Sequence, residues 1–309
     1  MNDPAADVLA SHRPMLLGLA YRMLGSMHDA EDVLQEAYLK WQATDRDAVR
    51  EPRRYLSRTV TRLAIDRLRH RHAHEVYPGP WLPEPVATAT ATASFDPAES
   101  LDQRDSLATA TLFLMERLNP VARAVFVLRS AFDLPYDDIA ETVQRTAEHC
   151  RQLHRRAAQR LATDQRKYTP SRIEHRELLE RFLVAAREGD LTTLRSYLHA
   201  DVVAWSDGGG KVRAARRPVL GADRVARFFA GIHTRQRYIV EHLLVNGTPG
   251  ALTSHDGIDM VLTFTVADGR ISGLFLTANP AKVDRFVREH RRGTTAVDAN
   301  TDVPGRTRD

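Results

Sequence analysis

The sequence predicts a multi-domain protein in which two all-α blocks are followed by an α+β domain. Apolar residues recur at helical spacing up to about residue 165, and a proline-rich segment divides this part in two. From residue 170, two further helices precede a series of strand patterns with hairpin turns. Helices first and strands after them are typical of α+β organisation, and we expect a curved antiparallel sheet.

The composition excludes several classes of protein. Cys150 is the single cysteine, which excludes an internal disulfide and a multi-cysteine metal site and fits a reducing compartment. The N-terminus lacks a basic start followed by an apolar run, and no stretch approaches the about 20 apolar residues that span a bilayer. We therefore expect a cytoplasmic protein with no membrane partner. The formal charge is only +4, so basic residues matter only where they cluster.

The first helical block contains an amphipathic acidic helix, DAEDVLQEAYLKW. Asp29 is its predicted N-cap, and Glu31 and Asp32 lie in the first turn, where the helix dipole favours negative charge. Apolar residues from Ala30 to Trp41 recur at helical spacing. The outward side carries Glu31, Asp32, Gln35, Glu36 and Lys40. Charge alone favours a solvated surface for this side.

A second helix, Arg53 to Arg71, is strongly basic, with seven arginines and one acidic residue, Asp66. The arginines predicted to face outward are Arg54, Arg58, Arg62 and Arg69. Arginines at this density repel one another unless they meet an anion, and nucleic-acid phosphates are favoured over membranes or acidic partners.

The tract His70, His72 and His74 resembles a metal-binding tract, but it has no nearby carboxylate. We predict no metal site.

The second helical block carries a helix-turn-helix pattern. Asn119 is a predicted N-cap followed by Pro120 at the first helical position. A short helix, PYDDIAETV, precedes the cap Thr146 and the helix AEHCRQLHRRAAQRL. The side chains predicted to reach base edges and phosphates in a major groove are Thr146, Glu148, His149, Arg151, Gln152, Arg155 and Arg156.

The order of these features resembles the extracytoplasmic-function sigma factors of bacterial RNA polymerase. Three short motifs, GPWLPEP (79–85), DGGGK (207–211) and NPAKV (279–283), are similar to a sigma-J-like group that carries a C-terminal SnoaL-like domain. The resemblance implies all-α sigma regions 2 and 4, followed by an α+β cone related to nuclear transport factor 2. The implied divisions are region 2 (1–76), a linker (77–100), region 4 (101–165), the SnoaL-like domain (170–290) and a disordered tail (291–309).

The resemblance also implies partners and residue roles. Core RNA polymerase would be contacted by Asp29, Glu31, Asp32, Gln35 and Glu36. The −10 promoter element would be engaged by Arg54, Arg58, Arg62 and Arg69, and the −35 element by the helix that starts after Thr146. The SnoaL-like domain would replace a separate anti-sigma protein. Whether its cone binds a ligand is left open by the resemblance. Its contacts with the linker would involve Trp81, Leu82, Pro83, Asp207, Gly208, Gly209, Gly210, Lys211, Asn279, Pro280 and Lys282.

The glycine run in WSDGGGKVR does not fit a phosphate-binding P-loop. A P-loop needs four residues before Gly-Lys-[Ser/Thr] and leads into a helix, whereas Val212 follows Lys211 and KVRAARR is predicted as a strand. A tight turn is the preferred interpretation, and a contact surface is the second, because glycines accept positive φ and close approach.

The sequence does not select a catalytic site in the C-terminal part. Candidates by residue type are Asp201, Trp205, Asp207, His233, Glu241, His255 and Asp259, but their spacing indicates no base and partner. We predict no enzyme, no catalytic residue and no cofactor. Two alternatives are a one-component helix-turn-helix regulator with a ligand in the cone, and a SnoaL-type enzyme tethered to DNA.

Overall fold

The structure is a computed structural model that describes residues 4–87, 108–164, 172–233 and 239–301. Its first helical block consists of α1 (Pro4–Leu24), α2 (Met27–Gln42), a short 3₁₀ helix (Arg46–Ala48) and α3 (Pro52–His74). Ser26 caps α2, because its side chain accepts a hydrogen bond from the Asp29 amide at 3.2 Å. The prediction of Asp29 as N-cap is therefore wrong, and Asp29 lies in the first turn.

The second helical block contains the predicted helix-turn-helix. Its helices are α4 (Thr109–Met115), α5 (Pro120–Ser130), α6 (Tyr136–Val143) and α7 (Ala147–Asp164). Asn119 caps α5, and Thr146 caps α7 by accepting from the His149 amide at 3.2 Å. Gln144 ends α6 in the left-handed conformation with φ 55°. Buried Ile139 and Cys150 join α6 to α7.

The C-terminal domain combines helices with a six-stranded sheet of order β2-β1-β6-β5-β4-β3. Its elements are α8 (Arg172–Glu188), α9 (Leu191–Tyr197), β1 (Leu198–Asp207), β2 (Val219–Leu220), α10 (Ala222–His233), β3 (Ile239–Val245), β4 (Thr248–His255), β5 (Ile258–Ala267), β6 (Arg270–Thr277) and α11 (Pro280–Thr301). The predicted α+β fold class is confirmed, but β1 pairs with β6 in parallel, so the expectation of an antiparallel sheet is wrong at that pair. The elements between β1 and β6 provide the long crossover that a parallel pair requires.

The predicted strand KVRAARR is also wrong. The amides of Lys211 and Val212 both donate to the Gly208 carbonyl, at 3.0 and 3.1 Å, and thereby close a turn. Gly209 and Gly210 adopt φ values of 59° and 72°, which glycine reaches without strain. Residues 208–218 belong to no strand, and β2 begins at Val219. DGGGK is a turn, as preferred, and does not lead into a helix.

The two faces of the sheet pack against different parts of the chain. The inner face packs against α8 and α10 through residues such as Phe182 and Phe229. The outer face meets α11 and, through the stacked rings of Trp205 and Phe275, Phe113 of α4. The sheet therefore contacts the helical blocks directly.

The C-terminal helix α11 extends to Thr301, where disorder was predicted from residue 291 onward. Residues 302–309, and residues 88–107 of the predicted linker and region 4, lie outside the described residues. In the part of the chain that the structure describes, no helix has the length and apolar character to cross a bilayer.

Candidate functional site: promoter-binding and interdomain surfaces

On the predicted −10 surface of α3 (Arg54, Arg58, Arg62 and Arg69), three of the four arginines contact α6 of the second helical block. Arg54 lies 2.7 Å from the Glu141 carboxylate and 2.8 Å from that of Asp138. Arg58 also pairs with Glu141. Arg62 donates to the carbonyls of Thr142 and Glu141, both at 3.0 Å. We call this contact between α3 and α6 the seam. The carboxylates and carbonyls of α6 accept the hydrogen bonds that these arginines would otherwise donate to phosphates.

The fourth arginine of the −10 surface, Arg69, lies outside the seam. It is exposed and pairs with Asp66 of its own helix at 3.0 Å. Below the seam, α1, α3, α5 and α6 enclose a cavity of about 400 Å³. The seam is therefore joined by polar contacts at its rim and is incompletely filled beneath them.

The predicted −35 surface on α7 is open. All seven of its residues are exposed: Thr146, Glu148, His149, Arg151, Gln152, Arg155 and Arg156. Their contacts are local, since Glu148 contacts Gln152 at 3.2 Å and Arg151 at 3.7 Å on the same helix. The guanidinium of Arg151 also lies 5.4 Å from the Tyr136 ring centroid. The shape and charge of this surface suit the major groove.

The acidic side of α2 is divided between three environments. Arg67 of α3 contacts Asp29 at 2.7 Å and Asp32 at 3.2 Å. Glu31 accepts two hydrogen bonds, at 2.7 and 2.9 Å, from Arg285 of α11, and these bonds lower the pKa of the Glu31 carboxyl. The remaining two residues, Gln35 and Glu36, are exposed. A helix of the C-terminal domain thus reaches the predicted polymerase-contact surface.

Glu116 joins the two helical blocks in a buried ion-pair network. It pairs with Arg71 of α3 at 2.7 Å and with Arg123 of α5, whose side chain is only 1% exposed. Burial raises the pKa of Glu116, but Arg123 and Arg71 more than compensate and hold it below its usual value. Arg71 also lies over the Trp81 ring at 4.7 Å. This network extends from the helical blocks to the linker.

A buried group that we call the linker clasp holds the linker on the C-terminal domain. Asp207 accepts hydrogen bonds from the Tyr77 hydroxyl at 2.5 Å, the Leu82 amide at 2.9 Å and the Lys282 ammonium at 2.7 Å. Asn279 donates to the Tyr77 hydroxyl at 2.9 Å. The clasp consists of Tyr77, Leu82, Asp207, Asn279 and Lys282. It joins the WLPEP, DGGGK and NPAKV motifs in one site.

The electrostatics of the linker clasp depend on the pairing of Lys282. Burial lowers the pKa of its ammonium, and Asp207 opposes that change. The ammonium also lies 4.2 Å from the Trp81 ring centroid, close enough for a cation–π contact. Gly209 is needed at the clasp, because a Cβ there would lie 2.3 Å from Asn279. The glycine run therefore permits a close approach as well as a turn.

A second set of contacts holds the same linker between α2 and the sheet. The Glu84 carboxylate accepts from the Met27 amide at 2.7 Å, and its carbonyl accepts from the Tyr21 hydroxyl at 2.6 Å. Asn246 donates to Tyr21 at 2.6 Å and accepts from the Val86 amide at 3.0 Å. Burial raises the pKa of Glu84. The linker thus contacts region-2 helices on one side and the sheet edge on the other.

The structure brings most of the predicted interdomain residues to the linker, with Lys211 as an exception. Its side chain is exposed and makes no hydrogen bond or ion pair with a described residue. Residues that the sequence did not indicate are Tyr21, Tyr77, Glu84, Asn246 and Arg285. Only Glu84 and Tyr77 carried a usable signal, because each lies in or beside the proline-rich motif.

The candidate catalytic residues do not converge. Trp205 and Asp207 belong to the outer-face contacts and the linker clasp, Glu241 pairs with His290, and His255 pairs with Asp256. Asp201 is exposed on β1, and Asp259 accepts from Ser254 on the neighbouring strand. The side chain of His233 lies outside the description.

Two family models and several curated relatives match this chain. The family described as Sigma-70 region 2 matches residues 8–74, and the one described as Sigma-70, region 4 matches residues 110–161. The ECF RNA polymerase sigma factor SigJ of Mycobacterium tuberculosis is 35% identical, over 91% of this chain and 93% of its own length. The probable ECF RNA polymerase sigma factor SigI of the same species is 29% identical, over 92% of this chain and 96% of its own length.

A solved structure shows the same architecture. The crystal structure of Mycobacterium tuberculosis SigJ superposes with a TM-score of 0.70 and 34% identity, covering 89% of this chain and 95% of that chain. The one-component regulator hypothesis leaves the first helical block without a role. The region 2 match accounts for that block.

Proposed function

Because the chain belongs to the extracytoplasmic-function sigma factors of bacterial RNA polymerase, which direct promoter-specific initiation, we propose that its C-terminal domain controls when it engages a promoter. Core RNA polymerase and promoter DNA are the partners of such a factor. In this proposal the C-terminal domain acts in place of a separate anti-sigma protein. The observation that carries it is the linker clasp, which holds residues 77–87 of the linker on the C-terminal domain.

Two features support the assignment of residues to promoter elements. The arginines of the −10 surface lie on one side of α3, where they would meet phosphates and an unpaired strand once the seam opens. The −35 surface presents Arg151, Gln152 and Arg155 on the exposed side of the second helix of a helix-turn-helix. The acidic side of α2, with Gln35 and Glu36 exposed, is the proposed contact with the polymerase.

The contacts between domains support control by restraint. A factor that binds −10 and −35 elements together must hold its two blocks apart along DNA, and the seam holds them against each other. Within the linker, residues 77–87 are held by Asp207 on one side and, through the Glu84 carboxylate, by the Met27 amide of α2 on the other. Arg285 also occupies Glu31 on the proposed polymerase surface. Release of the linker, followed by opening of the seam and of the Glu116 network, would free both DNA-binding blocks.

The test is run-off transcription with bacterial core polymerase on pooled fragments of the host genome. We expect discrete start sites that share two spaced elements. We expect Asp207→Asn, which weakens the linker clasp, to increase transcript yield from the same sites. Asp201→Asn is the matched control, because Asp201 is exposed on the same strand and takes no part in the clasp.

Two outcomes would contradict the proposal. Equal yields from the Asp207→Asn variant, the control and the unaltered protein would remove the regulatory role of the clasp. Unchanged promoter use by a chain ending near Lys167 would remove the regulatory role of the whole domain. Alanine variants of Arg58 and Arg151 would then test whether the −10 and −35 residues are correctly assigned.

A further inference from the structure

The turn that follows Asp207 borders a cavity that the linker clasp does not use. The cavity has a volume of about 230 Å³ and lies between the DGGGK turn, the chain up to Arg216 and Pro78 of the linker. It is smaller than the roughly 300 Å³ at which sites for drug-sized ligands begin, so it suits a small ligand. The residues that line it and carry the inference are Ser206, Gly208, Gly210, Lys211, Arg213 and Arg216.

The cavity has an unbalanced positive charge. Lys211, Arg213 and Arg216 all line it, and no Asp or Glu is among the described residues that do so. None of the three makes an ion pair or a side-chain hydrogen bond with any residue of the described ranges. Three unpaired cations within six residues repel one another, and an anion in the cavity would relieve that repulsion.

The hydroxyl of a buried serine completes the site. Ser206 is 3% exposed and lines the cavity, and its side chain makes no hydrogen bond within the described part of the chain. Its oxygen is accessible from the cavity, where the hydroxyl can donate a hydrogen bond to a ligand oxygen. A Cβ on Gly208 would lie 2.3 Å from the Val212 carbonyl oxygen, so this glycine lets the turn that borders the cavity close.

We propose that this cavity binds a small phosphorylated molecule through its phosphoryl group. A carboxylate carries one charge, whereas a phosphate monoester carries about −1.5 to −2 and presents three acceptor oxygens, which better matches three cations and a hydroxyl. The arrangement differs from a P-loop, because side chains rather than a helix N-terminus supply the positive charge.

The position of the cavity couples it to the linker. A Cβ on Gly210 would lie 2.9 Å from Pro78, and one on Gly79 would lie 3.5 Å from the Arg216 backbone. Ser206 directly precedes Asp207, the centre of the linker clasp. A ligand that orders residues 208–216 therefore changes how the linker is held. This coupling rests on the proposed function, whereas the binding itself does not.

Isothermal titration calorimetry of the full chain tests the binding. The probes are inorganic phosphate, pyrophosphate and glucose 6-phosphate, with glucose as the neutral control. We expect binding of one equivalent of a phosphorylated probe and no binding of glucose. Lys211→Ala, Arg213→Ala and Arg216→Ala should each weaken binding roughly tenfold or more, the usual effect of removing a hydrogen bond to a charged group. Ser206→Ala should weaken it by a smaller factor.

The control is Arg270→Ala, which removes an exposed and unpaired cation from the same domain at a distance from the cavity. Its affinity should equal that of the unaltered chain, and near-ultraviolet circular dichroism verifies the fold of every variant. Absence of binding by all phosphorylated probes overturns the proposal, as does binding that the three substitutions leave unchanged. If only duplex DNA binds, and the substitutions weaken it, the cations form a nucleic-acid surface instead.

Run-off transcription distinguishes ligand binding in the cavity from an effect of that ligand on the linker clasp. A phosphorylated probe that changes transcript yield with the unaltered chain, but not with Lys211→Ala, supports both. Binding without any change in yield supports the site and overturns its coupling to the linker clasp. If Asp207→Asn also leaves the yield unchanged, the proposed function fails while the binding site stands.

Discussion

The two predicted DNA-binding surfaces differ in accessibility. The −35 surface on α7 is exposed throughout, whereas three of the four arginines of the −10 surface are bound by α6 of the other block. In this state the protein could contact duplex DNA through α7 while its −10 residues are occupied. Under the proposed function, the restraint therefore acts on the predicted −10 surface rather than on the predicted −35 surface.

The ion pairs of the seam and of the linker clasp differ in burial and therefore in their contribution to stability. In the seam, the Arg54 and Glu141 side chains are 46% and 48% exposed, and ion pairs of this kind contribute about 0–1 kcal/mol each. In the linker clasp, Asp207 and Lys282 are 0% and 10% exposed, and the loss of one partner from such a pair is costly. The clasp is therefore the stable anchor, and the seam is the contact that can open reversibly.

The largest effect is expected from Asp207→Asn, which breaks the anchor. It leaves the buried Lys282 ammonium without its counter-charge, and the loss of one partner of a buried ion pair costs about 3–5 kcal/mol. Urea denaturation followed by tryptophan fluorescence should show this loss. Asp201→Asn, on the exposed part of the same strand, should stay within about 0.5 kcal/mol of the unaltered chain. Equal stability of the two variants would contradict the anchoring role of the clasp.

A somewhat smaller loss in the free energy of unfolding, about 3 kcal/mol, is expected from Glu116→Gln, because it also removes one partner of buried ion pairs. It is smaller because Arg71 and Arg123 retain hydrogen bonds to the carbonyls of Leu24 and Arg22. This variant also changes the pH dependence. The pKa of Glu116 is lowered in the folded state, so its stabilisation is present above the unfolded value of 4.5 and is lost as pH falls through the folded pKa.

The measurement for Glu116 is urea denaturation of both chains between pH 7 and pH 3. The stability difference between the unaltered chain and Glu116→Gln should be constant above pH 4.5 and shrink at lower pH. Other carboxyls titrate in both chains and cancel in the difference. A difference that does not change with pH would show that the charge of Glu116 does not join the blocks.

Local features of both surfaces could be predicted from the sequence. Asn119-Pro120 and Thr146 marked the starts of α5 and α7, and periodicity placed the arginines of the −10 surface and of α7 on outward sides. These signals are local, because a cap or an amphipathic side is encoded within a few residues. The strand prediction for KVRAARR was wrong because it, too, relied on a local pattern. Its alternation of apolar and basic residues imitates a half-buried strand, although the preceding glycines close a turn.

The partners of each surface could not be predicted. Periodicity indicates that a side is charged or apolar, but it does not identify the group that covers it. Glu141 meets Arg58 across 83 positions, and Arg285 meets Glu31 across 254. The acidic side of α2, the proposed polymerase contact, therefore looked solvated from its charge alone, although α11 reaches it. The position of Tyr77 beside the proline-rich motif marks it as part of the linker, but nothing local to it indicates a bond to Asp207.

Arg151→Ala tests whether the exposed −35 surface of α7 binds DNA independently of the seam. A side chain that contacts bases or phosphates contributes about 1–3 kcal/mol to DNA binding. Because α7 is exposed, the loss should be the same in the unaltered chain and in a variant with an opened seam. Fluorescence anisotropy with a duplex that carries the −35 element measures it. Arg160→Ala, farther along the same helix, is the control. A loss that appears only after the seam opens would show that the −35 surface is also covered.

The smallest effect is expected from Glu141→Gln, which weakens the seam. It removes the charge that Arg54 and Arg58 share, and exposed pairs of this kind contribute about 1 kcal/mol together. Run-off yield and binding of a single-stranded −10 oligonucleotide should therefore rise about fivefold. Asp137→Asn is the control, since Asp137 is exposed on the same helix and lies outside the seam. If both variants behave alike, α6 does not restrain the −10 surface, and its accessibility depends on the linker clasp alone.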